Sequence, residues 1–205
     1  RRLAGFGGAV APSTADWHDP AAEREGHVPY TDAAFGDIAL GLTRRLAARL
    51  LPARKLVVLD ADNTLWNGVV GEVGPDGLTV DPARRAFQEM LVERQKAGQL
   101  LAVVSKNAIE DVDAAFAALP DMPLRLEHLV AVKADWRAKS EVIADLARDL
   151  DLGLDSFAFI DDNPVECAEV RSRLPMVAVL PYPVTESDAE GWLARLWALD
   201  TGLAG

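Results

Sequence analysis

The sequence predicts an α/β fold in which helices cover both faces of a parallel, five-stranded sheet. Short apolar runs such as KLVVLD, LLAVVS and SFAFID are each followed by a segment with helical periodicity. These runs are continuously apolar, as is typical of strands that are buried on both faces. In such sheets ligands lie at the carboxyl ends of the strands. Polar residues that directly follow a strand are therefore the first candidates for a site.

Size and composition limit the organisation of the chain and its partners. The 205 residues are half hydrophobic and carry a net charge of −11. We expect an N-terminal irregular segment and helix at 1–52, followed by the main domain at 53–205. The negative charge argues against nucleic acid or an anionic membrane as a partner, and no apolar run reaches the ~20 residues of a membrane span. The single cysteine, Cys167, excludes an intrachain disulfide and fits a reducing, cytoplasmic location.

The elements of the first half follow from caps and breakers. Thr31 is predicted to cap a helix that Pro52 ends. Strand KLVVLD comes next, and then a glycine-rich segment at about 66–80, in which GPDG is interpreted as the turn of a hairpin. The periodicity then predicts a helix from Pro82 to about Lys96, and a glycine two residues later stops it.

The second half alternates four strands with helices. The spacing of Asn107 and Glu110 predicts a capping box after the strand at 100–105. Asn163 is predicted to cap another helix, with Pro164 at its first position. The remaining elements are a strand at 128–132, a helix from about residue 138, a strand at 156–161, a strand at 176–180 and a C-terminal helix.

Four carboxylates follow two of the predicted strands. Asp60 and Asp62 follow the first strand, and Asp161 and Asp162 end a strand about 100 residues later. Clustered carboxylates favour a hard divalent cation such as Mg²⁺, which in turn makes a carboxylate usable as a nucleophile toward phosphate. One aspartate of the first pair could attack phosphorus while the other reaches the leaving oxygen. The sequence therefore predicts phosphate chemistry at a metal site.

Phosphate-binding groups are predicted beside these carboxylates. Ser105, with the amides of Lys106 and Asn107 at the start of a predicted helix, forms a candidate anion site. Lys139 could neutralise both nucleophile and phosphate, and Lys133 competes for this role. Trp66 is interpreted as a packing residue, with substrate contact as the alternative. The candidates for a basic docking patch are Arg84, Arg85, Lys106, Arg137 and Lys139.

These motifs, in this order, resemble those of the haloacid dehalogenase-like (HAD) superfamily. The resemblance implies a Rossmann-like three-layer sandwich that is essentially capless, with only a short flap at about 66–80. It also implies a phosphoaspartyl mechanism, with Asp60 as the nucleophile and Asp62 as an acid/base that offers its carbonyl to Mg²⁺. The implied phosphate and substrate residues are Asn63, Thr64, Trp66, Ser105, Lys106, Asn107 and Lys139. The implied metal ligands are Asp60, Asp62, Asp161 and Asp162.

A closer resemblance is to the FkbH-like family. It is carried by LDADNTLWNGVVGE, AVVSKNAIEDV, DWRAKSEVI, GLDSFAFIDDNPVE and the upstream HVPYTDAAF, and it runs from about residue 15 to 199. It implies that a glyceryl unit is taken from 1,3-bisphosphoglycerate, with dephosphorylation. The unit is then loaded onto the phosphopantetheine thiol of an acyl carrier protein in polyketide biosynthesis.

One position departs from the pattern of that family. Many relatives resemble Asp-Cys-Asp in the first motif, and that cysteine is the expected acyl acceptor, whereas this chain has Ala61. An engineered Ala61 would be a trap for a substrate or carrier complex. If Ala61 is the native residue, three alternatives follow. The carrier thiol attacks the acyl group directly, or the domain is a Mg²⁺-dependent phosphatase of a small phosphometabolite, or it is a catalytically disabled docking module.

Overall fold

A computed structural model describes residues 17–50, 53–183, 185–194 and 196–199. These residues form two compact units, one comprising residues 17–50 and the other Arg54–Leu199. The predicted irregular segment before residue 17 and the predicted helix stop at Pro52 lie outside the described residues. Among the described residues, no helix is long and apolar enough to cross a membrane.

The first unit contains two helices, α1 (Pro20–Gly26) and α2 (Asp32–Leu50). The Oγ1 atom of Thr31 accepts a hydrogen bond from the amide of Ala34 at 3.2 Å, as expected of the predicted cap. Helix α1 was not predicted. Asp19 caps it by accepting bonds from the amides of Ala21 and Ala22, so the prediction of irregular structure before residue 31 is wrong for this turn.

The second unit is built on five parallel strands in the order β3-β2-β1-β4-β5, which confirms the predicted fold class. The strands are β1 (Leu56–Leu59), β2 (Leu100–Ser105), β3 (Ala131–Ala134), β4 (Phe157–Asp161) and β5 (Ala178–Pro181). The helices are α3 (Val70–Val73), α4 (Pro82–Lys96), α5 (Ile109–Ala118), α6 (Lys139–Asp149), α7 (Pro164–Arg173) and α8 (Glu186–Ala194). Short 3₁₀ turns occur at Pro75–Gly77, Leu126–His128, Leu154–Ser156 and Trp197–Leu199.

Alternate residues of the central strands pack on opposite faces of the sheet, which gives three layers. On one face Val57 and Leu59 pack with residues of α4, α5 and α8. On the other face Leu56 and Val58 pack with residues of α6 and α7. Because both faces are covered, these central strands are apolar up to their carboxyl ends, as the sequence indicated.

The sheet order brings the strand ends of the site together. Strand β1 lies between β2 and β4, with Leu59 in register with Val103 on one side and Ile160 on the other. The amide of Asp60 donates to the carbonyl of Ile160 at 2.9 Å. Asp60 therefore leaves the sheet next to Asp161, at the edge where β2 also ends.

The predicted hairpin at 66–80 is wrong. This segment contains the short helix α3 and the 3₁₀ turn Pro75–Gly77, and its strand-like contacts are two isolated bridges, Asn67 with Thr79 and Trp66 with Asp62. Gly68 and Gly74 turn the chain at φ values of 106° and 70°, where a side chain would be strained. In this fully described part of the chain, residues 60–81 are the whole connection between β1 and α4, so no cap domain is inserted there.

Other helix and strand boundaries also differ from the predicted ones. The predicted strand at 128–132 begins only at Ala131, because Leu126–His128 forms a 3₁₀ turn, and the last strand runs from Ala178 to Pro181. The capping box at Asn107 is wrong, since α5 begins at Ile109 and its cap residue, Ala108, has no side-chain bond. The predicted cap at Asn163 is present, with Pro164 at the first helical position.

Candidate active site

A pocket of about 160 Å³ lies at the carboxyl ends of the central strands. Its lining combines five acidic side chains with two basic and three amide side chains. These residues are Asp60, Asp62, Asn63, Val69, Ser105, Lys106, Asn107, Lys139, Asp161, Asp162, Asn163 and Glu166. The structure thus brings together the four predicted carboxylates, Ser105 and Lys139, which are far apart in the sequence.

Lys139 is the central cation of this pocket. Its Nζ lies 2.5 Å from Asp60 Oδ1, 2.6 Å from Asp161 Oδ2 and 2.5 Å from Glu166 Oε2. Burial disfavours the charged ammonium, but the three carboxylates outweigh it, so the pKa of Lys139 is raised. Lys133, the competing candidate, instead pairs with Asp149 at 2.8 Å and does not line the pocket. The structure therefore favours Lys139.

Asp60 is the predicted nucleophile. Its side chain is nearly buried, with 6% of the residue exposed, but it reaches the pocket. Burial raises the pKa of Asp60, and although Lys139 lowers it, the charges of Asp161 and Asp162 raise it further. A carboxylate in this position needs further positive charge before it can attack an anionic phosphate.

Three carboxylates form a possible metal site. One oxygen from each of Asp60, Asp161 and Asp162 can be chosen so that all three lie within 4.8 Å of one another. Burial raises the pKa of both Asp161 and Asp162. Such a set of hard oxygen donors, which repel one another when ionised, fits a cation such as Mg²⁺. Asp62 was predicted to offer Mg²⁺ its backbone carbonyl, and its carboxylate lies outside this cluster.

Asp62 is held by donors on both of its carboxylate oxygens. Its Oδ1 accepts hydrogen bonds from the Trp66 indole at 2.9 Å and from the Val70 amide at 3.2 Å. Its Oδ2 accepts a hydrogen bond from Asn107 Nδ2 at 2.8 Å. Asn107 also donates to Ser105 Oγ at 2.9 Å. Asn107 therefore links the predicted acid/base to the predicted phosphate-binding hydroxyl.

The side chains after Asp62 shape the loop. Thr64 is fully buried, and its Oγ1 accepts a hydrogen bond from the Asp162 amide at 3.1 Å, so the predicted substrate contact of Thr64 is wrong. Asn63 lines the pocket in a left-handed conformation, with a φ of 56°. Its Oδ1 accepts a hydrogen bond from the Gly68 amide at 3.1 Å. Asn63 and Thr64 thus fix the path of the chain around the carboxylates.

The predicted anion site is only partly formed as expected. Ser105 and Lys106 line the pocket, but they end β2 and precede α5, so their amides do not belong to a helix terminus. The ammonium of Lys106 instead lies 2.9 Å from Glu166 Oε1. The positive groups available to a phosphate are therefore the side chains of Lys139 and Lys106.

The structure also decides between alternatives for three other residues. Trp66 is fully buried, with its ring edge-on to Phe116 at 5.6 Å, which agrees with the packing interpretation and excludes substrate contact in this structure. Ala61 is also fully buried, in the hydrophobic cluster beneath the sheet, so a side chain at this position packs in the core and not in the pocket. Arg84 is only 6% exposed and bonds Asp81 and the Asn63 carbonyl, which removes it from any docking surface.

Sequence reasoning missed Glu166. This residue lies in the first turn of α7, lines the pocket and bridges the ammonium groups of Lys139 and Lys106. An acidic residue in a first helical turn is common, because it faces the positive end of the helix dipole, so it carries little signal. The sequence signal that could have revealed Glu166 is its position about one helical turn after the strand-end aspartates Asp161 and Asp162.

The only cysteine of the chain is not a nucleophile in this structure. Cys167 is 1% exposed, and its Sγ donates to the Asp161 carbonyl at 3.4 Å. Burial raises the pKa of its thiol to about 11. Since the thiolate is the reactive form, this residue is not suited to accept an acyl group.

Comparisons with known proteins agree with this fold. No protein-family model and no curated protein matches the chain. The N-terminal part of the protein BF1531 from Bacteroides fragilis, which contains a phosphatase domain and was crystallised with Mg, is 30% identical, with a TM-score of 0.76. That similarity covers 91% of this chain and 51% of the other, so the chain spans about half the length of that structure.

Two more distant structures are similar over part of the chain. A putative HAD-like phosphatase from Mesorhizobium loti is 16% identical, covering 73% of this chain and 86% of the other, with a TM-score of 0.49. A 3-deoxy-D-manno-octulosonate 8-phosphate phosphatase from Moraxella catarrhalis, in complex with magnesium, phosphate and KDO, is 17% identical. It covers 63% of this chain and 67% of its own length, with a TM-score of 0.40. The Mg in the Bacteroides fragilis structure is consistent with the predicted cofactor.

Proposed function

We propose that this chain, whose fold and structural neighbours support membership of the haloacid dehalogenase-like superfamily, is a Mg²⁺-dependent phosphatase of a phosphorylated small molecule. The observation that carries the proposal is the contact of Lys139 Nζ with Asp60 Oδ1 at 2.5 Å, beside the carboxylates of Asp161 and Asp162. A carboxylate, a buried cation and a metal site meet in one pocket. This combination suits transfer of a phosphoryl group to Asp60.

The proposed reaction has two steps. Asp60 Oδ attacks phosphorus, the bond from phosphorus to the leaving oxygen breaks, and Asp62 gives that oxygen a proton. Water then attacks the phosphorus of the phosphoaspartate, its proton passes to Asp62, and the bond from Asp60 to phosphorus breaks to release inorganic phosphate. Asp62 is thereby returned to its starting state, and the net reaction consumes one water.

The other pocket residues bind and orient the phosphoryl group. Ser105 Oγ and the ammonium of Lys139 would hold its oxygens, since both line the pocket beside Asp60. Asp60, Asp161 and Asp162 would hold Mg²⁺, which supplies positive charge against the phosphoryl oxygens. Asp62 would contribute its backbone carbonyl, as the family resemblance implies.

The test is phosphate release from p-nitrophenyl phosphate and acetyl phosphate, in Mg²⁺ and in EDTA. We expect Asp60→Asn to lose the activity, whereas Asp113→Asn, which changes an exposed aspartate of α5, keeps it. Beryllofluoride, which mimics a phosphoryl group on aspartate, should bind the parent and not Asp60→Asn, as read by ¹⁹F NMR. A parent that neither releases phosphate nor binds beryllofluoride would favour the disabled docking module.

A second, more specific function is favoured by the FkbH-like resemblance, which spans nearly the whole main domain. In this function the substrate is 1,3-bisphosphoglycerate, and the glyceryl group passes to the phosphopantetheine thiol of an acyl carrier protein in polyketide biosynthesis. Ala61 packs in the core and Cys167 is buried, so neither position supplies an acyl acceptor. We therefore propose direct attack by the carrier thiol at the acyl carbon of the acyl phosphate. The carbon–sulfur bond forms as the bond from that carbon to the phosphate oxygen breaks, and inorganic phosphate leaves with the thiol proton. A buried thiol is also compatible with the cytoplasmic location that we propose.

Intact-protein mass spectrometry distinguishes the two functions. The domain is mixed with Mg²⁺, 1,3-bisphosphoglycerate and a phosphopantetheinylated carrier. A glyceryl mass gain on the carrier, with none on the domain, supports direct transfer. Phosphate release without any gain on the carrier restricts the function to that of a phosphatase. An Ala61→Cys variant should acquire no adduct, because its thiol would lie in the core.

A further inference from the structure

The buried indole of Trp66 contacts the proposed acid/base and not the pocket. Its Nε1 donates to Asp62 Oδ1 at 2.9 Å, while the ring is fully enclosed and packs edge-on against Phe116 of α5. A buried indole N–H needs a hydrogen-bond partner, and here that partner is a carboxylate at the edge of the reaction site. The sequence alone suggested only packing or substrate contact for Trp66.

The two oxygens of Asp62 are bonded unequally. Oδ1 accepts from both Trp66 and the Val70 amide, whereas Oδ2 accepts from Asn107. A carboxylate oxygen has two lone pairs, so Oδ1 is saturated. Among the described residues, Oδ2 has one donor and keeps a lone pair. Oδ2 is therefore the oxygen available to exchange a proton with a substrate.

Trp66 has little freedom to move away from Asp62. Its ring lies in the same hydrophobic cluster as Leu65 and Phe116, and Leu65 is tied to α4 through a hydrogen bond from Gln88 to its carbonyl. The indole therefore provides a fixed donor. Since a carboxylate rotates about its terminal bond at little cost, a fixed donor on one oxygen determines where the other oxygen points.

We propose that Trp66 is a positioning residue that holds Asp62 Oδ1 through its indole N–H and so directs Asp62 Oδ2 toward the leaving oxygen. Asn107 provides the opposing donor on Oδ2 and ties this carboxylate to Ser105. The inference rests on the proposed function, because it assigns Trp66 a part in the acid/base step. It predicts that loss of the indole N–H damages proton transfer and leaves phosphate binding intact.

The kinetic test compares two substrates that differ in their need for a proton. Glycerol 3-phosphate expels an alkoxide, which needs protonation, whereas acetyl phosphate expels acetate, which does not. The comparison is made on the first step alone, because the second step uses Asp62 as a base with both substrates. For Trp66→Phe we expect the single-turnover rate of leaving-group release to fall about tenfold to a hundredfold with glycerol 3-phosphate and less than about threefold with acetyl phosphate, with KM changed little for either. Trp192→Phe, which changes an indole packed on Phe87 and Tyr182, is the matched control and should keep both rates.

A second variant keeps the test informative if Trp66→Phe folds poorly. Asn107→Ala removes the donor to Oδ2 and also the donor to Ser105 Oγ. It should therefore show the same preference for acetyl phosphate, together with a raised KM for both substrates. Equal loss of the single-turnover rate on the two substrates in both variants would overturn the proposal, because a purely structural role reduces both rates alike.

A spectroscopic readout tests the contact without any activity. The indole ¹H–¹⁵N cross-peak of Trp66 is identified by its disappearance in Trp66→Phe. It should move in Asp62→Asn, which replaces the charged acceptor by an amide, and stay unchanged in Asp113→Asn. An unmoved peak would overturn the proposed hydrogen bond. If the peak moves in Asp62→Asn but the parent releases no phosphate, the proposed function is disproved and the hydrogen bond is still supported.

Discussion

Lys139 Nζ lies 2.5 Å from Asp60 Oδ1, although the two residues are 79 positions apart in the chain. The contact joins the first turn of α6 to the end of β1, and it is buried. Removing one partner of a buried ion pair leaves an uncompensated charge, which costs about 3–5 kcal/mol. A substitution in this pair should therefore change both the stability of the protein and the reaction at the site.

Replacement of this lysine should affect both properties. We expect Lys139→Met to abolish phosphate release and to lower the free energy of unfolding in EDTA by about 3 kcal/mol, because Asp60, Asp161 and Glu166 would lose their shared cation. Lys133→Met is the control, since its exposed pair with Asp149 contributes less than about 1 kcal/mol. Urea unfolding and a phosphate assay measure the two effects. Equal stability of the two variants would contradict the central role of Lys139.

Glu166→Gln should change metal and phosphate binding in opposite directions. The variant removes one negative charge from the pocket and releases Lys106 from its partner at 2.9 Å. We expect Mg²⁺ to bind more weakly and inorganic phosphate more tightly, each by roughly fivefold, or about 1 kcal/mol. Isothermal titration calorimetry measures both affinities. Glu141→Gln, which changes an exposed residue of α6, should change neither, and a shift of both affinities in the same direction would contradict the electrostatic explanation.

Magnesium should stabilise the fold through the carboxylate cluster. A ligand that binds only the folded state at 100 times its Kd adds about 2.7 kcal/mol, which for a domain of this size raises Tm by roughly 5–10 °C. Asp162→Asn weakens the cluster of Asp60, Asp161 and Asp162, so its Tm should rise much less with Mg²⁺. Thermal unfolding in EDTA and in Mg²⁺ measures the difference. An equal rise of Tm in parent and variant would show that Mg²⁺ binds at another site.

The parts of the site that could be predicted are those that the sheet alone determines. Asp60, Ser105 and Asp161 follow or end strands, and parallel strands that lie side by side bring such residues to one edge whatever the loops do. Lys139 was found for a related reason, since it starts the helix that follows β3. The fold class followed from the same continuously apolar strands.

The parts that could not be predicted depend on partners that are distant in the sequence. Asn107 has the spacing of a capping box, but its amide bonds Asp62, 45 residues away, and the local pattern does not contain that partner. Arg84 looks like a surface residue of an amphipathic helix, yet it bonds the carbonyl of Asn63. The 66–80 segment looks like a hairpin because of its short apolar runs, whereas the Val70 amide is held by Asp62 at the start of α3.

Cys167 should be inert in the folded protein. Its thiol is buried and its pKa is raised to about 11, so the thiolate is scarce below that pH. We expect Ellman's reagent to release no colour from the native protein and one equivalent after unfolding in guanidinium, since the chain has one cysteine. Rapid reaction in the native state would show that the thiol is accessible. Direct attack by a carrier thiol would then no longer be the preferred route of acyl transfer.

The pair of Asp81 and Arg84 should make stability depend on pH in acid. Burial alone would raise the pKa of Asp81, but hydrogen bonds from the Arg84 amide, Asn67 and the Arg84 guanidinium outweigh it, so the pKa is lowered. The folded state thus binds the proton less readily than the unfolded state does. The stabilisation is present above the unfolded pKa of about 3.9 and is lost as pH falls through the folded value.

Asp81→Asn tests this dependence. The difference in unfolding free energy between parent and variant should be constant from pH 7 down to about 5 and should shrink as pH falls below about 4. Protonation of Asp81 then removes from the parent the same negative charge that the substitution removes from the variant. Urea unfolding at each pH measures it, and Asp76→Asn, which changes an exposed aspartate of the same connecting segment, should give no such trend. A difference that stays constant through acid pH would contradict a lowered pKa. The contribution of Asp81 would then come from its hydrogen bonds without any change in proton binding.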